Sequence, residues 1–187
     1  ISSQYRWSPV ERWLAGGMSA WDTEDAGAEL VRRYLAAFGP APVSDIRWWT
    51  GWTARQTAAA LGRLDTAEVD LGDGAPGVLM ADDLEPVVAP EPWVALLPAL
   101  DATPMGWRER GWFLGEHAPA LFDRSGNIGP TVWWDGRIVG GWYQGPDAEV
   151  IVQLLEDVGA EGTRALESEA ARLSARLPKL SIDTGLA

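Results

Sequence analysis

Apolar residues recur at three- to four-residue spacing through Leu30, Val31, Tyr34, Leu35 and Phe38, with Glu24 and Asp25 ahead of them and Gly39-Pro40 behind. Acids suit a helix N-terminus and Gly-Pro cannot extend a helix, so the pattern predicts a helix over residues 23–38. Ile46, Trp48 and Trp49 ahead of Gly51 predict a second, short helix over 43–50. Thr53 has the chemistry of an N-cap, and a third helix is expected from there to about residue 64. Its helical wheel turns Ala54, Thr57, Ala58, Leu61 and Leu64 inward and Arg55, Gln56 and Arg63 outward. Two strand-like runs follow at 67–71 and 78–81, joined by a glycine-rich loop at 72–77. Three helices followed by a β-hairpin is the layout of a winged helix, whose third helix can enter a major groove.

The second half carries β patterns. Residues 93–100 form an apolar run, 105–117 have helical tendency, and 149–157 read as a further strand. Between them, Thr131-Val132-Trp133-Trp134 and Arg137-Ile138-Val139-Gly140 flank Asp135-Gly136, the dipeptide that a two-residue type I′ turn requires. Counting from that turn pairs Trp134 with Arg137, Trp133 with Ile138 and Val132 with Val139. Both faces of this hairpin carry aromatic or branched side chains, so it needs cover and is expected in a closed or nearly closed sheet. A helix over about 161–177 presents Leu166, Ala170, Leu173 and Leu177 as one stripe, and residues 181–183 suggest a final edge strand. The acidic, proline-rich residues 82–92 mark a boundary. The expected organisation is α+β: a segment 1–22 rich in tryptophan (Trp7, Trp13, Trp21) with a short helix near 10–14, a winged helix over 23–84, and a β-barrel-like domain with a C-terminal helix over 85–187.

Composition narrows the chemistry. The 187 residues include no cysteine and one histidine, His117, so neither a disulfide framework nor a thiolate or histidine-rich metal site is expected. That usage suits a reducing cytoplasm, and no apolar run approaches the roughly 20 residues that span a membrane. A start at Ile1-Ser2-Ser3 rather than Met suggests a fragment or a processed product. The net charge of −12 opposes nucleic-acid binding as a whole, but the charge is unevenly spread. Residues 26–64 carry five arginines (Arg32, Arg33, Arg47, Arg55, Arg63) against Glu29 and Asp45, whereas 65–101 carry nine acids and no cation. The first stretch can approach phosphate. The hairpin at 67–81, with Glu68, Asp70 and Asp73, should be repelled by it.

No phosphate loop, dinucleotide fingerprint, His-Glu-x-x-His or Gly-x-Ser-x-Gly motif is present, and no cofactor is expected. Asp101 is placed to cap the turn over Thr103. Trp107, Arg108, Glu109, Arg110 and Trp112 mix cations with aromatic faces, a combination that holds a nucleic-acid backbone or forms a salt-bridged loop. The DNA-contact candidates are Thr53, Arg55, Gln56 and Arg63 on the third helix, Arg108 and Arg110, and Trp134 with Arg137 at the hairpin tip.

Three stretches carry a family likeness: 96–101 (Leu-Leu-Pro-Ala-Leu-Asp), 105–110 (Met-Gly-Trp-Arg-Glu-Arg), and 126–140 from Gly126-Asn127 through Trp133-Trp134-Asp135-Gly136 to Gly140. Together they resemble the C-terminal part of the bacterial winged-helix DNA-binding family that includes glycosylases removing alkylated purines and unhooking interstrand crosslinks. Phe38-Gly39-Pro40 and Trp48-Trp49-Thr50-Gly51 look like that family's last tandem winged helix. The resemblance implies tandem winged helices and a β-barrel around duplex DNA, with hydrolysis of an N-glycosidic bond that uses neither metal nor cofactor. Its catalytic Gln-x-Gln or Gln-x-Asp/Glu motif has no counterpart among Gln4, Gln56, Gln144 and Gln153, so no catalytic residue carries over. The likeness covers almost the whole chain and implies about the C-terminal half of a full-length member, whose N-terminal half is missing here. The expectation is a DNA-binding portion of such a protein, and the alternative is a scaffold or protein-interaction module that does not bind DNA.

Overall fold

The computed structural model describes residues 7–18, 20–72 and 74–178. A 3₁₀ turn at Val10–Arg12 leads to α1 (Thr23–Phe38), α2 (Val43–Thr50) and α3 (Ala54–Leu61), then to β1 (Thr66–Asp70) and β2 (Pro76–Met80), which pair antiparallel. Asp22 caps α1 through the Glu24 amide, and Gly51, at φ 70°, ends α2 in the left-handed conformation that glycine adopts without penalty. Thr53 and Gln56 form a reciprocal capping box at the start of α3. The first core gathers Val31, Tyr34, Leu35, Ala41, Ile46 and Ala60, with Leu61 and Leu64 packed against it. Ala54 and Ala58, expected inward, are exposed; the stripe that packs is Thr57, Ala60, Leu61 and Leu64, one position further round the wheel.

The rest of the described chain comprises β3 (Val94–Leu97), three one-turn helices, α4 (Ala102–Met105), α5 (Gly111–Leu114) and α6 (Ala118–Leu121), then β4 (Thr131–Trp134), β5 (Arg137–Gln144), β6 (Val150–Leu154) and α7 (Gly159–Ser174). The strands form one antiparallel sheet in the order β3-β4-β5-β6. It is open, not the closed or barrel-like sheet expected. Four strands are too few to meet edge to edge, and β3 and β6 both pack against α7 instead of each other. Val132, Val139, Trp134 and Leu166 fill the α7 side, where buried Gly162 lets the helix approach: a Cβ there would lie 2.8 Å from Val158 and 3.1 Å from Trp134. Trp133, Ile138, Phe113, Leu114, Leu121 and Ile128 fill the other side, covered by the one-turn helices.

Asp135 and Gly136, at φ 46° and 80°, form the expected turn, so Trp134 faces Arg137 and Trp133 faces Ile138. The register then shifts: Val132 pairs with Gly140, not Val139, across a β-bulge. The expected strand at 181–183 lies outside the described residues, as does Asp73.

Residues 82–92 are exposed and irregular, yet the segments on either side are joined by buried contacts. Trp107 packs against both the first and the second core, and its indole N–H donates to the Phe38 carbonyl at 2.9 Å. Tyr34 donates its hydroxyl proton to the Gly106 carbonyl at 2.9 Å. Asp45, fully buried on α2, accepts the amides of Arg108 and Glu109 on Oδ2 at 3.2 and 3.3 Å, while Oδ1 has no partner. Burial pushes this carboxyl above the usual aspartate range, against the two amides that pull it down.

Two outcomes are expected. A Cβ on Gly140 would collide with the Gln153 carbonyl oxygen of β6, so Gly140→Ala should lose about 1–3 kcal/mol in urea unfolding; an unchanged midpoint would mean that β5 and β6 are not this close. For Asp45 the native state holds its proton to higher pH than the unfolded chain. Its contribution to stability is therefore fully present below the unfolded pKa and is lost as pH rises through the raised native value. Asp45→Asn keeps one acceptor oxygen and should match or exceed the wild type at neutral pH, with the gap closing on acidification. Asp45→Ala orphans two amides and should lose about 1–3 kcal/mol. An Asn variant less stable than Ala at neutral pH would contradict this reading of the charge.

Candidate nucleic-acid interface

The α2–α3 turn is built by local chemistry. Gly51 reverses the chain, Trp52 packs into the first core beside Gly27, and Thr53 accepts the Gln56 amide at 3.3 Å while Gln56 Oε1 accepts the Thr53 amide at 3.0 Å and its hydroxyl at 2.8 Å. Thr53 and the Gln56 carbonyl are thus occupied in starting the helix, and the Gln56 NH₂ group remains for an outside acceptor. Arg55 is exposed on the first turn of α3, and Arg47 is exposed on the last turn of α2. Among the described residues neither guanidinium has an ion-pair partner. In the sequence Arg47 is marked only as one of the five arginines of residues 26–64; its place one residue after the buried Ile46 leaves it exposed.

Two of the other candidate cations, Arg63 and Arg110, are engaged. Arg63 bridges to Glu24 at 3.0 Å and to Asp25, tying the end of α3 to the start of α1. Arg110 lies half-buried between the Trp48 and Phe122 rings, 5.6 and 4.5 Å from their centroids, and donates to the Pro104 carbonyl at 3.2 Å. Arg108 is exposed, with its guanidinium 3.9 Å from Glu109 and its amide on Asp45. The expected mixture of cations and aromatic rings at 107–112 therefore exists, but Arg110 and Trp107 spend it on internal packing.

At the β4–β5 hairpin, Trp134 is half-buried beneath α7, and among the described residues no cation–π contact joins it to Arg137. Arg137 is exposed beside the turn and reaches Glu156 Oε2 at 3.4 Å. The same oxygen lies 2.9 Å from His117 Nε2. In the β1–β2 hairpin, Asp70 accepts the amides of Gly72 and Gly74 at 2.8 and 3.1 Å, so one of its acids shapes the loop. Asp101 caps α4 through the Thr103 amide at 2.9 Å. No cluster of metal-ligating side chains and no helix long and apolar enough to cross a membrane occurs among the described residues.

The sequence pattern of the AlkZ-like family, described as "DNA glycosylase AlkZ-like", matches residues 1–176. The interstrand DNA cross-link repair glycosylase of Streptomyces sahachiroi is 27% identical over 163 residues, covering 82% of this chain and 43% of that protein. The solved structure of the Streptomyces sahachiroi DNA glycosylase AlkZ superposes with a TM-score of 0.77 at 26% identity, over 92% of this chain and 49% of that one. The chain thus spans about half the length of these relatives. Matched along residues 1–176, it belongs to the AlkZ-like DNA glycosylase family.

Proposed function

We propose that this chain is the duplex-DNA-binding, non-catalytic portion of a repair enzyme that hydrolyses the N-glycosidic bond of a damaged purine. In this reading residues 23–84 are a winged helix, residues 85–187 form a second domain that braces it, and residues 1–22 connect to the portion of the protein that carries catalysis. The observation that carries the reading is the pair of exposed guanidiniums, Arg47 and Arg55, on either side of the α2–α3 turn. They flank the first turn of α3, where backbone amides and the helix dipole favour an anion. Arg137, at a hairpin tip narrow enough to reach a groove, is the second contact. Thr53 and Gln56 hold the helix start in position. Arg63, Arg110 and Trp134 serve the frame through their internal contacts, as does the Arg108 amide on Asp45, while the Arg108 guanidinium stays exposed.

A second reading, a scaffold that never touches DNA, is favoured by one observation: Arg63 and Arg110 are neutralised or packed internally while the β1–β2 hairpin stays acidic. The two readings separate on salt. Binding through phosphates makes log affinity fall linearly with log salt. Arg55→Ala and Arg137→Ala should each weaken duplex binding and shallow that slope by about one unit. Unchanged affinity and slope in both variants would favour the scaffold. The chain alone should release no base from alkylated or crosslinked DNA, because the glutamine motif is absent from it; base release above background would overturn the non-catalytic assignment.

A further inference from the structure

His117 is the single histidine of the chain, and nothing in the reading above uses it. It sits between α5 and α6, with its side chain 17% exposed and Nε2 2.9 Å from Glu156 Oε2. Arg137 donates to that same oxygen from 3.4 Å, and Gly115 of the α5–α6 connection lies beside its guanidinium: a Cβ there would be 3.9 Å from Nη2. One carboxylate oxygen from the β6–α7 connection is thus shared by two nitrogens that compete for it. While the imidazole is neutral, Glu156 carries the negative charge that balances Arg137. Once the imidazole is protonated it becomes the nearer counter-ion, and the hold of the shared carboxylate on Arg137 weakens.

Resting on the reading of Arg137 as a DNA contact, we infer that Glu156 masks Arg137 in the free protein and that protonation of His117 releases it to a phosphodiester. Engagement of DNA at the hairpin is then linked to uptake of a proton. A phosphate beside Arg137 repels the Glu156 carboxylate, and a proton on His117 relieves that repulsion, so each ligand strengthens the other. The remaining charged groups on the surrounding elements are few. Glu116 precedes His117, Asp135 lies in the hairpin turn, and Asp157 follows Glu156 with its carboxylate on the Gly159 amide at 2.8 Å. Helices α5 and α6 carry no titratable side chain. Glu116 and Asp135 are exposed, which leaves Glu156 as the group through which His117 and Arg137 communicate.

The test uses the whole chain and a fluorescein-labelled duplex, with anisotropy read at fixed ionic strength from about pH 8 down to about pH 6. Wild type should tighten on acidification by about two- to fivefold, the limit set by an exposed ion pair. His117→Gln, with His117→Asn as a second variant should the first disturb the fold, should lose that rise. Glu156→Gln should bind about two- to fivefold more tightly at pH 8 and respond little to pH. Parallel pH curves for wild type and both His117 variants, or no tightening in Glu156→Gln, would overturn the inference. Arg137→Ala distinguishes the levels. If it weakens binding while the other variants behave like wild type, the hairpin contact stands and the gate falls. If it binds like wild type, or if no variant binds duplex at either pH, both fall together.

Discussion

The first and second cores meet at Trp107, which packs against both. Its ring meets Phe38 at 5.1 Å and Phe113 at 5.6 Å, and Phe113 in turn stacks on Trp133 of the sheet at 5.4 Å. The indole is therefore a shared wall of two cores, and its N–H bond to Phe38 fixes how far it inserts. Gly106 has no room for a side chain, since a Cβ would strike the Phe38 ring, and this lets the chain lie flat on α1. Asp45 then holds the next two amides. A buried carboxylate is an expensive way to fasten a loop, because burial disfavours its charge, but it accepts two parallel amides that no apolar side chain could satisfy.

That fastening decides which charges remain for a partner. Arg110, drawn between Trp48 and Phe122, closes the outer side of the same junction. Arg63 is committed to the α1 start, and Arg32 and Arg33 share Glu29, whose carboxyl they hold down at about 2. Arg47 and Arg55 remain exposed on either side of the α2–α3 turn, with Arg137 balanced by Glu156 on the sheet. In a chain of net charge −12, the cations that stay unpaired matter more than the total.

Much of this organisation was legible where the signal is local. The N-caps, the αL glycine after α2 and the Asp-Gly turn are each set by neighbouring residues, and the three helices and the hairpin follow from them. The open sheet is not legible in the sequence, because closure depends on which strands meet across long sequence separations: covering both hairpin faces requires partners, and α7 with three one-turn helices provides them without further strands. The bulge that moves Val132 onto Gly140 had no sequence signal beyond two glycines at 140 and 141. Arg110 resembled a free cation because its aromatic partners stand far from it in sequence. Asp45 and the His117–Glu156–Arg137 group were illegible for the same reason; each is assembled from separate elements that only the fold brings together.

If Trp107 and Asp45 unite the two cores, they should not melt independently. Differential scanning calorimetry of the whole chain is the most direct measurement. A single endotherm whose calorimetric enthalpy equals its van't Hoff enthalpy is expected, since neither core is complete without the shared indole. Two resolved transitions, or a calorimetric enthalpy well above the van't Hoff value, would show that α1–α3 and the sheet fold separately and that the junction does not fix one against the other.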